Sequence, residues 1–279
     1  MTITQDFLDI IQKVDDVIEI PSVQEAFFPP LEVKDKDCKA SNFGAIRLED
    51  GSIGIIFLNL TREVRKRASR FNISELIGMN PSELVRNFNS QDDFKKTLGL
   101  GAVNAISQHV FNRANLSLDF TTDSLGLLNL QSGDKVGMIG FFPPLVIKIE
   151  QLGIKLIVIE KKEQLVKKSE DWEITLDPKR LSECTKILIT STTVLNDSID
   201  DILQYCSQAE KISVIGPTGG FFPDPLFKRG VNVLGGTYVH DSRHFMELIR
   251  QNQRWGPSTS KYCLQQRDYP GISSLLKKI

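Results

Sequence analysis

The amino-acid sequence predicts an α/β protein in which a doubly wound, mainly parallel sheet follows a smaller α+β domain. From Asp134 onward, short apolar runs rich in Val and Ile alternate with helical stretches, which is the pattern of buried parallel strands and their crossover helices. Before that point the chain reads as a helix, then strands, then further helices. We therefore expect two domains, residues 1–120 and 121–279, in the 279-residue chain.

In the front domain, the spacing of the apolar residues and the helix-capping residues predict each element in turn. Apolar residues recur at three- and four-residue steps from Phe7 to Ile18, which predicts an amphipathic helix that ends before Pro21. Residues 42–60 form two apolar runs around Glu-Asp-Gly, a strong hairpin signal. Asn80-Pro81 predicts a capped helix start, and Ser90–Asp93 resembles a capping box before a long helix.

The second domain is predicted to contain five buried strands. Each is short, continuously apolar and followed by a turn signal; they are residues 135–141, 155–160, 186–191, 211–216 and 231–236. Helical stretches lie between them, for example after residue 143 and after residue 198. Parallel strands joined by right-handed crossover helices make a Rossmann-like doubly wound sheet.

Composition and charge narrow the class of protein. Lys and Arg number 34 against 35 Asp and Glu, so the chain lacks the basic field of a nucleic-acid-binding protein, and the basic stretch Thr61–Arg70 is interpreted as a solvated helix face. No signal peptide and no apolar run of about 20 residues is found, which predicts a cytoplasmic protein without membrane contact. The four cysteines form no C-x-x-C pair, so we expect reduced thiols and no metal site.

The carboxyl ends of the predicted strands form the candidate ligand site, because open α/β sheets bind ligands there. These ends are small, polar or aromatic after apolar strands. The candidate ligand-binding residues are Gly140, Phe141, Phe142, Glu160, Thr190, Ser191, Thr192, Thr193, Asn196, Gly216, Pro217, Thr218, Gly219 and Asp241.

Glu160 is the strongest nucleoside signal in the sequence. It ends the second strand, twenty residues after Gly140, which is the spacing at which an acid meets a ribose hydroxyl in dinucleotide-binding sheets. The alternative is a solvated glutamate that begins a charged run. The loop after Gly140 carries Phe141 and Phe142 where G-x-G-x-x-G has glycines, so NAD as a redox cofactor is not expected.

Two further loops are candidate donors to a ligand. The hydroxyl cluster Thr190–Thr193 lies between a strand and a helix, where it either contacts an anionic ligand or only caps the helix. The loop Gly216–Gly220 either donates backbone N–H groups to a ligand or is only a tight turn. Phe141 and Phe222 are candidate apolar walls, with core packing as the alternative role. His240, His244 and Asp241 are too few to predict a metal site.

Several ordered motifs resemble one known family. Residues 137–146 (GMIGFFPPLV), 157–163 (IVIEKKE), 187–203 (ILITSTTVLNDSIDDIL) and 214–241 (VIGPTGG onward) are similar, in order and spacing, to the Rossmann-like domain of the "putative heavy-metal chelatase" family, whose function is unknown. The helix around Asn104 resembles the A-x-x-N-A helix of its enolase-N-terminal-like front domain. Ser191 departs from the family, which often has glycine there, and this side chain narrows the approach to the backbone.

The resemblance implies a two-domain protein with a cleft between the strand ends and the helix that carries Asn104, and Asn104 is a further candidate ligand-binding residue. We expect that cleft to bind a small anionic or nucleoside-like molecule. The alternative is metal or metal-chelate handling, as the family name implies. Whether the protein is an enzyme is left open; if it is, Glu160 or Asp241 is the expected general base. No cofactor is named, and a homodimer is the expected assembly, since dimers are the commonest oligomers.

Overall fold

The computed structural model describes residues 2–31 and 39–279. Cys38 lies outside the described residues. The helices are α1 Ile3–Asp15, α2 Arg62–Ala68, α3 Pro81–Val85, α4 Asp93–Arg113, α5 Ser124–Leu128, α6 Pro143–Gln151, α7 Thr192–Leu195, α8 Ile199–Gln204, α9 Asp224–Phe227, α10 Ser242–Arg250 and α11 Ile272–Leu276. The strands are β1 Val23–Phe27, β2 Phe43–Leu48, β3 Ile53–Phe57, β4 Lys135–Ile139, β5 Lys155–Ile159, β6 Lys167–Lys168, β7 Trp172–Thr175, β8 Lys186–Thr190, β9 Lys211–Ile215, β10 Val233–Val239 and β11 Thr259–Gln265.

The front part of the chain folds as predicted into helix, strands and helices. β1, β2 and β3 form an antiparallel sheet in that order, and the turn between β2 and β3 contains the predicted Asp-Gly. Asn80 caps α3, with Pro81 at its first position. The capping box is displaced, because Asp92 and not Ser90 accepts the N–H groups of Phe94 and Lys95 at the start of α4.

The second part is the predicted α/β unit, with an eight-stranded sheet in the order β11-β10-β9-β8-β4-β5-β7-β6. The six strands from β10 to β7 are parallel, and β11 and β6 are antiparallel additions at the two edges. Numbered along the chain, the parallel strands follow the Rossmann order 3-2-1-4-5-6. The predicted strand 231–236 forms later than expected, at Val233–Val239, and β7 and β11 were not predicted.

Helix α4 joins the two parts of the molecule, and every residue from Thr97 to Phe111 is buried. It packs against β3 so closely that a Cβ on Gly54 would lie 1.9 Å from the carbonyl oxygen of Gly101. On the same helix, Gln108 accepts the N–H of Ile53 at 3.0 Å and donates to the carbonyl of Val239 at 2.8 Å. The helix that carries Asn104 is therefore fixed to β3 and to β10 at once.

Candidate functional site

The candidate site lies where the parallel sheet changes direction. From β4 the chain proceeds through β5 to β7 on one side, and β8, β9 and β10 follow on the other side of β4. The carboxyl ends of β4 and β8 are therefore adjacent at the switch point, where such sheets bind ligands. A Cβ on Gly140, directly after β4, would lie 3.4 Å from Cγ2 of Thr190 at the end of β8. We call the space above these ends, bounded by residues 140–142, 160 and 190–193, the strand-end cleft.

The loop after β4 offers few of the N–H groups of a phosphate-binding loop. Gly140 adopts a φ of +85°, which favours glycine, and its own N–H donates to Ile159. Helix α6 then begins with Pro143 and Pro144, which have no N–H, and the N–H of Leu145 donates back to the loop. The N-terminus of α6 therefore lacks the donors that bind pyrophosphate in dinucleotide sites.

Glu160 engages a second donor of this loop. Its carboxylate accepts the N–H of Phe141 at 2.7 Å and that of Lys161 at 3.1 Å, and its own N–H donates to Thr175 on β7. The side chain is only half-buried, so its carboxylate oxygens can accept further hydrogen bonds from a ligand in the cleft. A carboxylate in this position attracts hydroxyl or cationic donors and repels phosphate.

The aromatic side of the cleft is built differently from the prediction. The ring of Phe141 stacks on Trp172 of β7, with centroids 6.5 Å apart and planes inclined by 25°. Phe142 is also half-buried. Phe222, in contrast, is completely buried and packs edge-on against Phe111 of α4 at 5.6 Å. Phe222 is a core residue and not a wall of the cleft, because the loop after β9 turns it toward the front domain.

The hydroxyl cluster after β8 divides into an inner pair and an outer pair. Ser191 Oγ lies 3.0 Å from Thr218 Oγ1, both buried, and Thr193 donates to the carbonyl of Thr190 at 2.7 Å. The hydroxyls of Thr190 and Thr192 are 3.2 Å apart and belong to half-exposed residues at the cleft. Only this outer pair is accessible for contact with a ligand.

Asn196, at the end of α7, is engaged locally. Its Oδ1 accepts both the N–H of Ser198, at 3.2 Å, and the hydroxyl of Ser198, at 2.5 Å. The side chain remains half-exposed. Its visible role is therefore to shape the turn between α7 and α8.

The glycine loop after β9 packs against protein. A Cβ on Gly216 would lie 2.3 Å from Ser191 Oγ, and one on Gly219 would lie 2.8 Å from the carbonyl oxygen of Gly235. The carbonyl of Gly219 accepts the hydroxyl of Tyr262 at 3.3 Å, and burial raises the pKa of Tyr262 well above its usual range. These glycines allow neighbouring chain segments to approach closely. Pro217, which lies between them in the loop, is half-exposed.

Asn104 connects the front domain to this loop. Its Nδ2 donates to the carbonyl of Ile55 on β3 at 2.9 Å and to that of Thr218 at 3.3 Å. The residue is 2% exposed, and its Oδ1 has no hydrogen-bond partner. A Cβ on Gly220 would lie 3.6 Å from that oxygen. Asn104 thus supports Thr218, which in turn contacts the buried Ser191 after β8.

Asp241 is not brought to the strand-end cleft. Gly235 is aligned with the end of β9, but β10 continues four residues further, to Val239, which is about 13 Å of strand. Asp241 follows that extension and caps α10 by accepting the N–H of His244 at 3.0 Å. Of the two expected general bases, only Glu160 lies at the cleft.

The described side chains do not form a metal centre. Within residues 2–31 and 39–279, no group of three or more His, Cys, Asp or Glu side chains is placed to hold an ion. Cys184, Cys206 and Cys263 are buried free thiols, and burial raises the pKa of Cys184 to about 11. In the same described part of the chain, no helix has both the length and the apolar character needed to cross a bilayer.

Sequence reasoning missed Trp172 and Tyr262, which position Phe141 and Gly219. Both residues lie on strands that were not predicted, β7 and β11. Trp172 begins the run Trp-Glu-Ile-Thr, in which only Ile174 is buried. The aromatic and β-branched composition of that run was the available signal.

Comparisons with known proteins place the chain among proteins of unknown function. The DUF364 family model, described as "Putative heavy-metal chelation", matches residues 123–266, and the DUF4213 model, with the same description, matches residues 26–107. An uncharacterized protein of Methanocaldococcus jannaschii is 27% identical over 220 residues, covering 75% of this chain and 80% of that protein.

Two solved structures share the fold. A DUF364 protein of unknown function from Pyrococcus horikoshii superposes with a TM-score of 0.70 at 20% identity, covering 93% of this chain and 99% of the other. A DUF364 protein from Desulfitobacterium hafniense DCB-2 gives a TM-score of 0.67 at 17% identity, covering 94% and 98%. The DUF364 model alone spans more than half of the sequence, so the chain belongs to the DUF364 family of proteins described as "Putative heavy-metal chelation".

Proposed function

We propose that the protein binds a small nucleoside-like ligand in the strand-end cleft, with ligand hydroxyls donating to Glu160. The observation that carries this proposal is the half-exposed Glu160 carboxylate at the end of the second parallel strand, beside the switch point. In sheets of this order, an acid at that position accepts the ribose hydroxyls. The half-exposed hydroxyls of Thr190 and Thr192 complete the polar side of the cleft.

The same geometry orients any anionic group of the ligand. A phosphate above the β4–α6 loop would meet Glu160 and two prolines without N–H groups. An anionic group is therefore expected on the β8 side, near the hydroxyls of Thr190 and Thr192. This orientation favours nucleosides over dinucleotides, whose pyrophosphate requires the β4 loop.

Isothermal titration calorimetry with adenosine, AMP and NAD tests the proposal. We expect adenosine or AMP to bind more tightly than NAD. Glu160→Gln should weaken binding at least tenfold, because a charged acceptor is replaced by a neutral one, while the amide oxygen still accepts the N–H of Phe141. Glu163→Gln, three residues away and exposed, is the matched control. Absence of binding, or equal affinity of Glu160→Gln and wild type, refutes the proposal.

Metal-chelate handling is the second candidate, and the description of the family favours it. Because the described residues provide no set of three ligating side chains, the organic chelator would have to supply the donor atoms itself. Metal analysis of untagged protein, before and after dialysis against EDTA, tests this candidate. Stoichiometric metal that co-purifies with a small molecule supports it, and metal-free protein with no bound chelator removes it.

A further inference from the structure

The carboxyl ends of four adjacent strands present a row of residues on one face of the sheet. This face is marked within the strands by residues that pack in one buried cluster with α6, namely Met138, Val158, Ile174 and Leu188. Side chains alternate between the two faces of a strand, so the residues two positions further along belong to the same face. In the strand order β8, β4, β5 and β7, these residues are Thr190, Gly140, Glu160 and Leu176, which we call the strand-end row.

Backbone hydrogen bonds keep the strand-end row in register. Just beyond β4, the N–H of Gly140 donates to the carbonyl of Ile159 at 3.0 Å. Just beyond β5, the N–H of Glu160 donates to the carbonyl of Thr175 at 3.0 Å, so Leu176 is the next residue beside Glu160. Adjacent strands lie about 4.8 Å apart, and the three steps from β8 to β7 therefore make a row about 14 Å long.

The chemistry of the row changes along its length. Thr190 places a half-exposed hydroxyl group at one end. Gly140 adds no side chain, and a Cβ there would lie 3.7 Å from Cε2 of Phe142, so the edge of that ring covers this step. Glu160 follows with its half-buried carboxylate, and Leu176 places an apolar side chain, 42% exposed, at the other end. The row thus offers a hydroxyl, an open step, a carboxylate and a hydrocarbon surface in that order.

This order fixes the direction of a nucleoside-like ligand, and the inference rests on the proposed function. There the ribose hydroxyls meet Glu160, and any anionic group lies toward Thr190. The base and C5′ are attached on opposite sides of the ring oxygen of ribose, so a ligand with its anionic group toward β8 extends its base toward β7. The exposed carboxylate of Asp177, directly after Leu176, disfavours the reverse direction because it repels an anionic group at that end.

We propose that Leu176 binds the base of the ligand and is the residue that selects for it. Its side chain packs against the flat apolar face of the base, next to the carboxylate that holds the ribose. The site therefore distinguishes nucleosides and mononucleotides from sugar phosphates, which share the ribose and the anionic group but leave Leu176 exposed to water.

Isothermal titration calorimetry with AMP tests the role of Leu176. We expect Leu176→Ala to weaken binding about fivefold, because the base loses apolar contact area. Leu176→Met keeps an apolar side chain of similar volume and should stay within about twofold of wild type. Leu152→Ala is the matched control, since it removes an exposed leucine at the far end of α6, close to the start of β5. Circular dichroism verifies that the three variants remain folded.

Photolabelling tests the direction of the ligand independently. AMP with an azido group on its base is bound, irradiated and followed by tryptic digestion and mass spectrometry. We expect the label in the peptide of residues 169–179, which contains Leu176, and excess AMP should prevent the labelling. The reverse direction would place the label in the peptide of residues 187–211, which contains Thr190.

The outcomes separate this inference from the proposed function. A label outside residues 169–179, or a Leu176→Ala variant that binds AMP as tightly as wild type, overturns the role of Leu176. If Glu160→Gln still weakens AMP binding in that case, the proposed function stands. Absence of AMP binding, or no effect of Glu160→Gln, refutes the proposed function and this inference with it.

Discussion

Asn104 provides the sharpest test of how the front domain supports the candidate site. In Asn104→Ala, the carbonyls of Ile55 and Thr218 lose their donor inside the protein. An unpaired buried polar group costs about 1–3 kcal/mol, and the 3.3 Å bond to Thr218 belongs at the low end of that range. We therefore expect the free energy of unfolding to fall by about 2–4 kcal/mol. The unpartnered Oδ1 disappears in the same change, which offsets a small part of the loss.

Asn104→Asp separates hydrogen bonding from packing. The aspartate has nearly the same shape, but it places oxygen opposite two carbonyl oxygens and buries a carboxyl group. We expect this variant to lose more stability than Asn104→Ala, although it leaves no cavity. Urea denaturation followed by circular dichroism measures both changes, and Asn89→Ala, at an exposed position, is the control. An aspartate variant that is as stable as the alanine variant, or an alanine variant within about 0.5 kcal/mol of wild type, refutes the reasoning.

Three further predictions concern packing, acid stability and thiol reactivity. Gly54→Ala should destabilise by at least about 3 kcal/mol, since its Cβ would lie 1.9 Å from a carbonyl of α4, whereas Gly256→Ala has nothing within 4 Å and should be neutral in the same urea denaturation. Burial alone would raise the pKa of Asp6, but the hydrogen bonds and charges of Arg229 and a neighbouring lysine lower it below its usual value. The ionised Asp6 therefore stabilises the folded protein above about pH 4, and this stabilisation is lost as the pH falls through the pKa of Asp6 in the folded state. Asp6→Asn should therefore flatten the decrease in unfolding free energy between about pH 5 and pH 3; an unchanged slope contradicts this. Burial raises the pKa of Cys206 to about 12, so its thiol should react with iodoacetamide at pH 8 only after denaturation. Peptide mass spectrometry locates the modified residue, and modification of Cys206 in the native protein would contradict its burial.

Local sequence signals predicted the elements that depend on their own residues. The β2–β3 hairpin follows from Asp-Gly between apolar runs, and the start of α3 follows from Asn80 and Pro81. Four of the five predicted parallel strands end within two residues of their expected positions, because each is a continuous apolar run between turn signals.

The features that the sequence did not predict depend on residues that are distant in the chain. β7 was missed because three of its four residues are half-exposed, so it lacks the continuous apolar pattern of a buried strand. β10 continues to Val239 because β11 pairs with its whole length, which no signal within β10 reveals. The division of the hydroxyl cluster after β8 depends on Thr218, which lies 27 residues later and forms a buried hydrogen bond with Ser191.

The positions of Glu160 and the prolines also limit how this sheet can recognise a ligand. In a glycine-rich loop, the N–H groups after the first strand remain available for pyrophosphate. Here Glu160 accepts the N–H of Phe141, and Pro143 and Pro144 remove the N–H groups of the first two positions of the helix. A substitution of Glu160 would release one donor but leave the helix start without N–H groups, so it would not create a dinucleotide site. On the proposed function, recognition at the β4 end therefore rests mainly on side chains, and the negative charge of Glu160 selects hydroxyl donors over phosphate.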